Sequence, residues 1–524
     1  MVAKLGVKGR KPKKHLSPKA RMNANKSLDV IVVGAGVGGL SAAISLGSAQ
    51  LRVLVLESTK QIGGKAGTAS FDGVEFDTGP SVLTMPETFD AVFAQAGLEF
   101  RSLVRLRRPE PAFRYHFPSG ASLDVFHEPE RTYESIASVF GIKARDEFRR
   151  YLDGAKALWS LAAPHFVLSE APDIGALLFS SIRQLRTLST IDPLRTLQTA
   201  IERTVQTPEL RMLLERYATY NGSDVRRAPA ALGCIAHIEL GMGGYGVEGG
   251  MVQLVHALGQ AATRVGVEIR TQQTVAGLIV RSGRIAGIRT DSGQEILAER
   301  VVVNADLRHL AETLLPSSLG KPLLPEGELS MSAYSAVYMA KKRIPQRRAA
   351  NEVVFPSNYL DEFSDIFDQH SSPQAPAVYL CAQSACHNRA AWTDHEPLFV
   401  TASAPAVVHG SKDNSAELLR ERVRQRLRDA ALIEADDRVI FERSPRDLAQ
   451  RFPGSRGALY GLASNSPMSA FKRAPNEVKR IPGLYLAGAS AHPGGGLPMV
   501  ALSGQRAADA ILKQLGIARK RTSS

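Results

Sequence analysis

The sequence predicts an α/β fold in which one domain, assembled from the beginning, the middle and the end of the chain, carries a second domain inserted between its parts. Three observations predict it. The stretch Leu28-Asp-Val-Ile-Val-Val-Gly-Ala-Gly-Val-Gly-Gly-Leu40 reads as a buried strand, a glycine turn and a helix. Arg52-Val-Leu-Val-Leu-Glu57 reads as a second buried strand ending in an acid. Apolar strands return at Val301-Val-Val-Asn-Ala-Asp306 and at 483–487, the last leading into a glycine loop over 488–496 and a helix from about Pro498 to Leu515.

The first element is the most specific. Gly34, Gly36 and Gly39 form a G-x-G-x-x-G pattern. The first glycine permits the tight turn, the second lets the backbone approach a pyrophosphate, and the third lets the helix pack on the strand. The helix N-terminus then offers free N–H groups and a positive dipole end to phosphates. Glu57 stands 18 residues beyond Gly39, where an acid accepts the ribose hydroxyls of an adenosine and disfavours a 2′-phosphate. Turn and acid together predict a Rossmann-like dinucleotide site.

The loop Gln61-Ile-Gly-Gly-Lys-Ala-Gly-Thr68 and the segment Gly73-Val-Glu-Phe-Asp-Thr-Gly-Pro80 follow. From about 85 to 240 the pattern turns largely helical, with apolar residues at helical spacing over 130–159 and 191–217, and Pro164, Pro172, Pro193, Pro208 and Pro229 punctuate it. A glycine loop over 241–250 leads to a helix over 251–265, then to a β-meander with strands at 267–270, 275–281, 284–290 and 300–303. Residues 330–475 alternate strands, such as 333–340 and 398–402, with helices such as 415–431. The division expected is a tail at 1–27, a dinucleotide domain over 28–105, 241–310 and 478–518, and an inserted α+β domain over 106–240 and 311–477.

Composition narrows the class. At 524 residues the chain has core for two or three domains, and 44% hydrophobic with 22% charged residues is ordinary globular usage. Of the net charge of +14, residues 1–27 hold nine Lys/Arg and no acid, leaving +5 for the rest. That tail reads as a disordered basic arm without the apolar core of a secretory signal; it suits anionic lipid, and no recognition motif points to nucleic acid. The three cysteines, Cys234, Cys381 and Cys386, fit neither a disulfide scaffold nor a common metal spacing, so no metal is expected. Cys386-His387 is a poor nucleophile pair, because adjacent residues rarely face each other. No uninterrupted apolar run reaches 18 residues, so no transmembrane helix is predicted.

Six motifs in order, GAGVGG at 34–39, GGKAGT at 63–68, FDTGPSVLTMP at 76–86, VEGGM at 247–251, VVVNAD at 301–306 and LYLAGASAHPGGGLPM at 484–499, resemble the phytoene desaturase family of bacterial carotenoid desaturase flavoproteins. The resemblance covers about Leu28 to Leu515. HPGGGLPMVALSG (492–504), YATYNGSDVRRAPA (217–230) and VYLCAQS (378–384) are most similar to the hydroxycarotenoid 3,4-desaturases of the methoxyneurosporene dehydrogenase type. The resemblance implies non-covalent FAD in a Rossmann-like domain of the glutathione-reductase type, with the inserted domain facing substrate and membrane. It implies that Gly63 and Gly64 admit the pyrophosphate, that Lys65 adds a cation, and that Thr68, Gly79 and Pro80 belong to the cofactor loops. Val275 falls at the adenine-contacting strand position. Gly488, Ala489, Pro493, Gly494, Gly495, Gly496, Pro498 and Met499 wrap the ribityl chain and flavin. Ala489 departs from the wider flavoprotein pattern, which has an acid there. Asn304 to Asp306 is assigned to packing, and Asp77 and Thr78 to shaping the loop under the flavin.

The implied reaction is insertion of a C=C bond into an acyclic carotenoid, by hydride transfer to flavin N5 with loss of a proton from the neighbouring carbon. Alignment in a long apolar tunnel is the protein's main task. No catalytic residue is assigned. His492 is a possible base, but fixing the glycine loop is the favoured role; Arg226, Arg227 or Asp224 are candidates to face a substrate hydroxyl. The acceptor that reoxidises the flavin is left open among oxygen, a quinone and a second protein. A phytoene desaturase or carotenoid ketolase, an amine oxidase on the same skeleton, and a non-catalytic prenyl-lipid escort protein are the alternatives. The segment 158–188 suits an interfacial amphipathic helix or a core helix, and Lys341-Lys-Arg-Ile-Pro-Gln-Arg-Arg348 adds basic charge. Peripheral attachment at the cytoplasmic face of the inner membrane is the location expected.

Overall fold

A computed structural model describes residues 28–518 apart from 168, 170–194, 344–347, 408–415 and 467–472. The basic tail, most of the segment 158–188 and the middle of the basic run 341–348 therefore lie outside the described residues.

The strand–turn–helix forms as the sequence predicts. Strand β1 (Val30–Val33) runs through Gly34 to helix α1 (Val37–Ser48). It is central in a five-stranded parallel sheet with β2 (Val53–Leu56), β3 (Glu268–Arg270), β4 (Val301–Val303) and β5 (Leu484–Leu486), in the order β5-β4-β1-β2-β3. Strands β1, β2, β4 and β5 are buried at every position because both faces are covered, whereas the edge strand β3, Glu268-Ile-Arg270, is not. Val30 and Val32 pack on the face with α1, helix α2 (Val252–Arg264) and helix α3 (Leu497–Gln514). Ile31 and Val33 pack on the other face against the three-stranded meander of Val275–Arg281, Arg284–Thr290 and Glu295–Leu297. Each such fully buried side chain contributes about 1.5–3 kcal/mol.

The second sheet has seven strands, in the order 438–443, 332–341, 395–404, 378–382, 351–354, 113–116 and 122–125. All its pairings are antiparallel except that of 351–354 with 113–116. Leu419, Val423 and Leu427 of helix Ala416–Asp429 cover one face, on Tyr334, Tyr338 and Val400. The hairpin Phe113–His116 and Ser122–Val125 corrects the largely helical reading of 85–240. Its four-residue strands alternate, with Phe113 and Tyr115 buried while Arg114 pairs with Asp124 and His116 with Glu352, a period too short to see among the helical segments.

Candidate active site

Between the two sheets lies a cavity of about 1080 Å³, and its first wall is the glycine turn. Gly36 caps α1 without any side-chain hydrogen bond, so the first N–H groups of the helix stay free toward the cavity, as an anionic group requires. A Cβ on Gly39 would overlap the Gly34 carbonyl oxygen, so only glycine lets α1 sit this close to β1. Gly63 N donates to Ala35 O at 2.8 Å, laying the second glycine loop beside the first. Glu57, at the end of β2, accepts from Ala35 N at 2.9 Å with Oε2 and from Thr59 N and Oγ1 at 2.9 and 2.8 Å with Oε1. Gln273 N donates to Glu57 O at 2.9 Å and so brings the start of the meander, with Val275, to the same wall.

The same wall continues into the loop 488–496 and the N-terminus of α3, again capped by a glycine with no side-chain bond. Gly488 N donates to Ser503 Oγ at 3.1 Å. Arg473, which the sequence reading did not single out, ties this loop down: its guanidinium donates to Ala489 O at 2.8 Å, Tyr460 O at 3.0 Å and Asn221 Oδ1 at 3.0 Å. Burial lowers its pKa to about 10, still well above neutrality. Asp306 is more than packing. It lines the cavity and accepts from Ser490 Oγ at 2.8 Å, so an acid reaches the neighbourhood of Ala489 from the strand behind it.

Of the residues expected at the cofactor, Gly34, Gly36, Glu57, Gly63, Gly64, Lys65, Gly79, Pro80, Val275, Gly488, Ala489, Pro493, Gly495, Gly496, Pro498 and Met499 line this one cavity. Gly39, Thr68 and Gly494 do not. Thr68 is half-buried in the hairpin 68–77 and donates to Glu75 Oε1 at 2.9 Å, while Gly494 backs onto Arg473. Lys65 Nζ donates to Leu459 O at 2.6 Å and lies 5.5 Å from the Phe452 ring centroid; burial lowers its pKa to about 8, against the pull of Asp306. The uncapped helix ends and glycine walls fit a dinucleotide along their whole length.

A profile of flavin-containing amine oxidoreductases matches residues 37–512. The chain belongs to that family. It is 34% identical to a hydroxyneurosporene desaturase of Rubrivivax gelatinosus, over 93% of each chain. It is 30% identical to a 4,4'-diapolycopene oxygenase of Methylomonas sp, over 94% of this chain and 100% of that one. Among solved structures, an oxidoreductase from Methanosarcina mazei superposes with a TM-score of 0.62 at 17% identity, over 93% of this chain and 100% of that one, a likeness of fold. The protein is thus an FAD-dependent oxidoreductase of the bacterial carotenoid desaturase group.

Within this flavoprotein, the candidate polar groups separate by position. His492 is 2% exposed, and burial with the Arg506 charge lowers its pKa to about 4, leaving a neutral ring of poor basicity at neutral pH. Asp77 is engaged by Arg389 at 2.8 Å and Met251 N at 2.7 Å, a loop anchor. Asp224, Arg226 and Arg227 do not face the cavity; they form an ion-pair network with Asp368 and Glu328. The cavity's other polar groups come instead from positions the sequence reading passed over. Arg216 immediately precedes the quoted YATYNGSDVRR motif and Tyr220 lies within it; Tyr220 Oη donates to Glu239 Oε2 at 2.5 Å, and Tyr217 Oη donates to Oε1 at 2.9 Å. Glu362 lines the wall further along.

Cys381, Cys386 and His387 are buried with their ligand atoms within 4.8 Å of one another. The geometry opposes a metal there. His387 Nδ1 accepts from Val247 N at 3.1 Å, so Nε2 must carry the proton of the neutral ring, and it points that proton at Cys381 Sγ, 3.8 Å away. A metal on Nε2 would need an imidazolate.

Proposed function

We propose that this enzyme introduces a C=C bond into an acyclic carotenoid, and that its specific reaction is 3,4-desaturation of a 1-hydroxy or 1-methoxy carotenoid. The observation that carries this reading is the continuity of the cavity. It runs from the dinucleotide-binding glycines past Pro493 and Gly495 to walls of Leu158, Trp159, Val353, Val378 and Phe399, a path suited to a long apolar chain whose reacting carbons must meet a flavin. The hydroxyneurosporene desaturase relative supports the substrate class.

The sixteen cavity-lining residues named above hold FAD in this reading, and Gly39, Thr68 and Gly494 brace their loops. Segments 28–105, 241–310 and 478–518 form the cofactor domain; 106–240 and 311–477 form the substrate domain. When bound, FAD supplies a two-electron acceptor at its isoalloxazine ring. Lys65 offers a counter-charge to the anionic cofactor. The uncapped N-terminus of α3 would offer N–H donors to the electron-rich part of a bound flavin, and Arg473 braces the loop 488–496 through Ala489 O. The apolar walls exclude water and align the polyene, the contribution that a substrate without polar reacting groups most needs.

A lipid-dissolved substrate makes peripheral contact with the cytoplasmic face of the membrane part of the proposal, with oxygen or a quinone as final acceptor. Among the described residues no helix is long and apolar enough to cross a membrane. The basic run contributes less to such contact than its charge implies, since Arg348 is 2% exposed and donates to Leu432 O, and Lys341 pairs with Glu434 at 2.7 Å. Release from membrane fractions only by carbonate or high salt supports the contact; recovery in the soluble pool without a wash overturns it.

Expression in cells accumulating phytoene, neurosporene or hydroxyneurosporene tests the reaction. Loss of two hydrogens from hydroxyneurosporene with a red-shifted spectrum supports it, and a red shift from phytoene alone assigns phytoene desaturation instead. The oxygenase relative favours a second reading, oxygen insertion, which the same experiment detects as a product that gains an oxygen atom.

A further inference from the structure

Glu362 is a carboxyl that the fold has buried without balancing. It lies on the helix Leu360–Phe367, is 1% exposed and faces the cavity. Oε2 accepts from Ala377 N at 2.6 Å, while Oε1 makes no hydrogen bond. The Ser403 hydroxyl and the Arg426 guanidinium act on the same carboxyl, yet Arg426 forms no ion pair with it and turns its guanidinium to Phe355 O. Burial raises the pKa of Glu362 to about 7, so near neutrality the group both donates and accepts. Around it the wall is apolar, with Val353, Ala377, Val378 and Ala402.

A buried carboxyl oxygen with no partner is destabilising unless something else satisfies it. Glu362 is one of the residues that line the cavity, so the partner can be a ligand that packs against this wall. We infer that Glu362, with Ser403 beside it, recognises a hydroxyl at the end of the polyene substrate and thereby sets the chain's depth in the cavity. This rests on the carotenoid reading above. It assigns to one residue the preference for an oxygenated end group: an unsubstituted polyene leaves the carboxyl desolvated and unbonded, and a hydroxylated one completes it. Discrimination of this kind is strong because the penalty falls on the wrong ligand.

The test compares wild type, Glu362→Leu, Glu362→Gln and Ser403→Ala as FAD-loaded full-length proteins in detergent. Two readouts are taken with a 1-hydroxy acyclic carotenoid and its unsubstituted parent. One is kcat/KM; the other is Kd from quenching of Trp159, which lines the cavity. The expected result is a hydroxyl-to-parent preference in wild type that falls about 10–100-fold in Glu362→Leu, is largely restored in Glu362→Gln, and falls by less in Ser403→Ala. A ratio unchanged in both Glu362 variants, with normal flavin absorbance, overturns the assignment. Should wild type turn over neither carotenoid, the desaturase reading fails, and the Kd ratio still decides Glu362: a preference lost in Glu362→Leu upholds the hydroxyl site, and equal Kd values in wild type overturn it.

Discussion

Replacing Gly63 by alanine puts the dinucleotide wall to a quantitative test. Gly63 has φ +110°, a region that L side chains rarely adopt, and a Cβ there would lie 2.9 Å from both Ala66 O and Val255 Cγ1. Backbone strain of this kind costs about 1–3 kcal/mol. Relief of the contacts requires the loop to move by about 0.5 Å against α2, an overpacking cost of about 1–3 kcal/mol. That motion pulls Gly63 N from Ala35 O and shifts the wall proposed to hold FAD. Loss of one hydrogen bond to a charged group, about 1.5–3 kcal/mol, weakens FAD binding about 10–150-fold. Gly73→Ala is the control: its φ is +75° but nothing lies within 4 Å of the added Cβ, so it carries backbone strain alone. The assay is FAD Kd by fluorescence together with the melting temperature of the apoprotein. A Gly63→Ala protein that binds FAD within twofold of wild type and melts with Gly73→Ala refutes the reasoning.

Other outcomes follow from single residues. Arg473→Met leaves the Ala489, Tyr460 and Asn221 acceptors unpaired and should lower stability by about 2–4 kcal/mol, read by urea unfolding of the holoprotein, with FAD lost at lower urea than in wild type. Burial raises the folded pKa of Glu362 and of Glu215 to about 7 from the ordinary 4.5. The folded state therefore holds protons that the unfolded state has released, so this stability is full below about pH 4.5 and is lost as pH rises through 7. Glu362→Gln should flatten that fall by at most about 3 kcal/mol in unfolding measured from pH 5 to 8. Lys65, with its pKa lowered to about 8 by burial, is charged below that pH and neutral above it. FAD affinity should fall between about pH 7.5 and 9 in wild type, and Lys65→Met should remove the pH dependence along with part of the affinity. Cobalt titration should give no thiolate–cobalt absorption from a Cys381–Cys386–His387 site, because with Val247 N on its Nδ1 the His387 ring cannot complete the ligand set.

What could be read from the residues alone is local in origin. The turn at 34–39, the acid at 57, the glycines at 63–64 and the loop 488–499 act through backbone conformation and spacing, which short stretches of sequence encode, and they meet on one wall because parallel strands place their ends at one sheet edge. Thr68 sits beside those glycines in sequence, yet strand pairing with Asp77 turns it outward. Arg226, Arg227 and Asp224 are as polar as any binding triad, but the decision between ligand and ion pair lay with Asp368 and Glu328, more than a hundred positions away. Arg473, Arg216, Glu239 and Glu362 became candidates only because helices and loops distant in sequence converge on one cavity. The sequence by itself determined the dinucleotide turn and the family, since these are written in contiguous residues. Tertiary structure alone decided which charges are neutralised by protein and which buried oxygen is left unpaired, because desolvation and partnering depend on what folds against a residue, not on what precedes it.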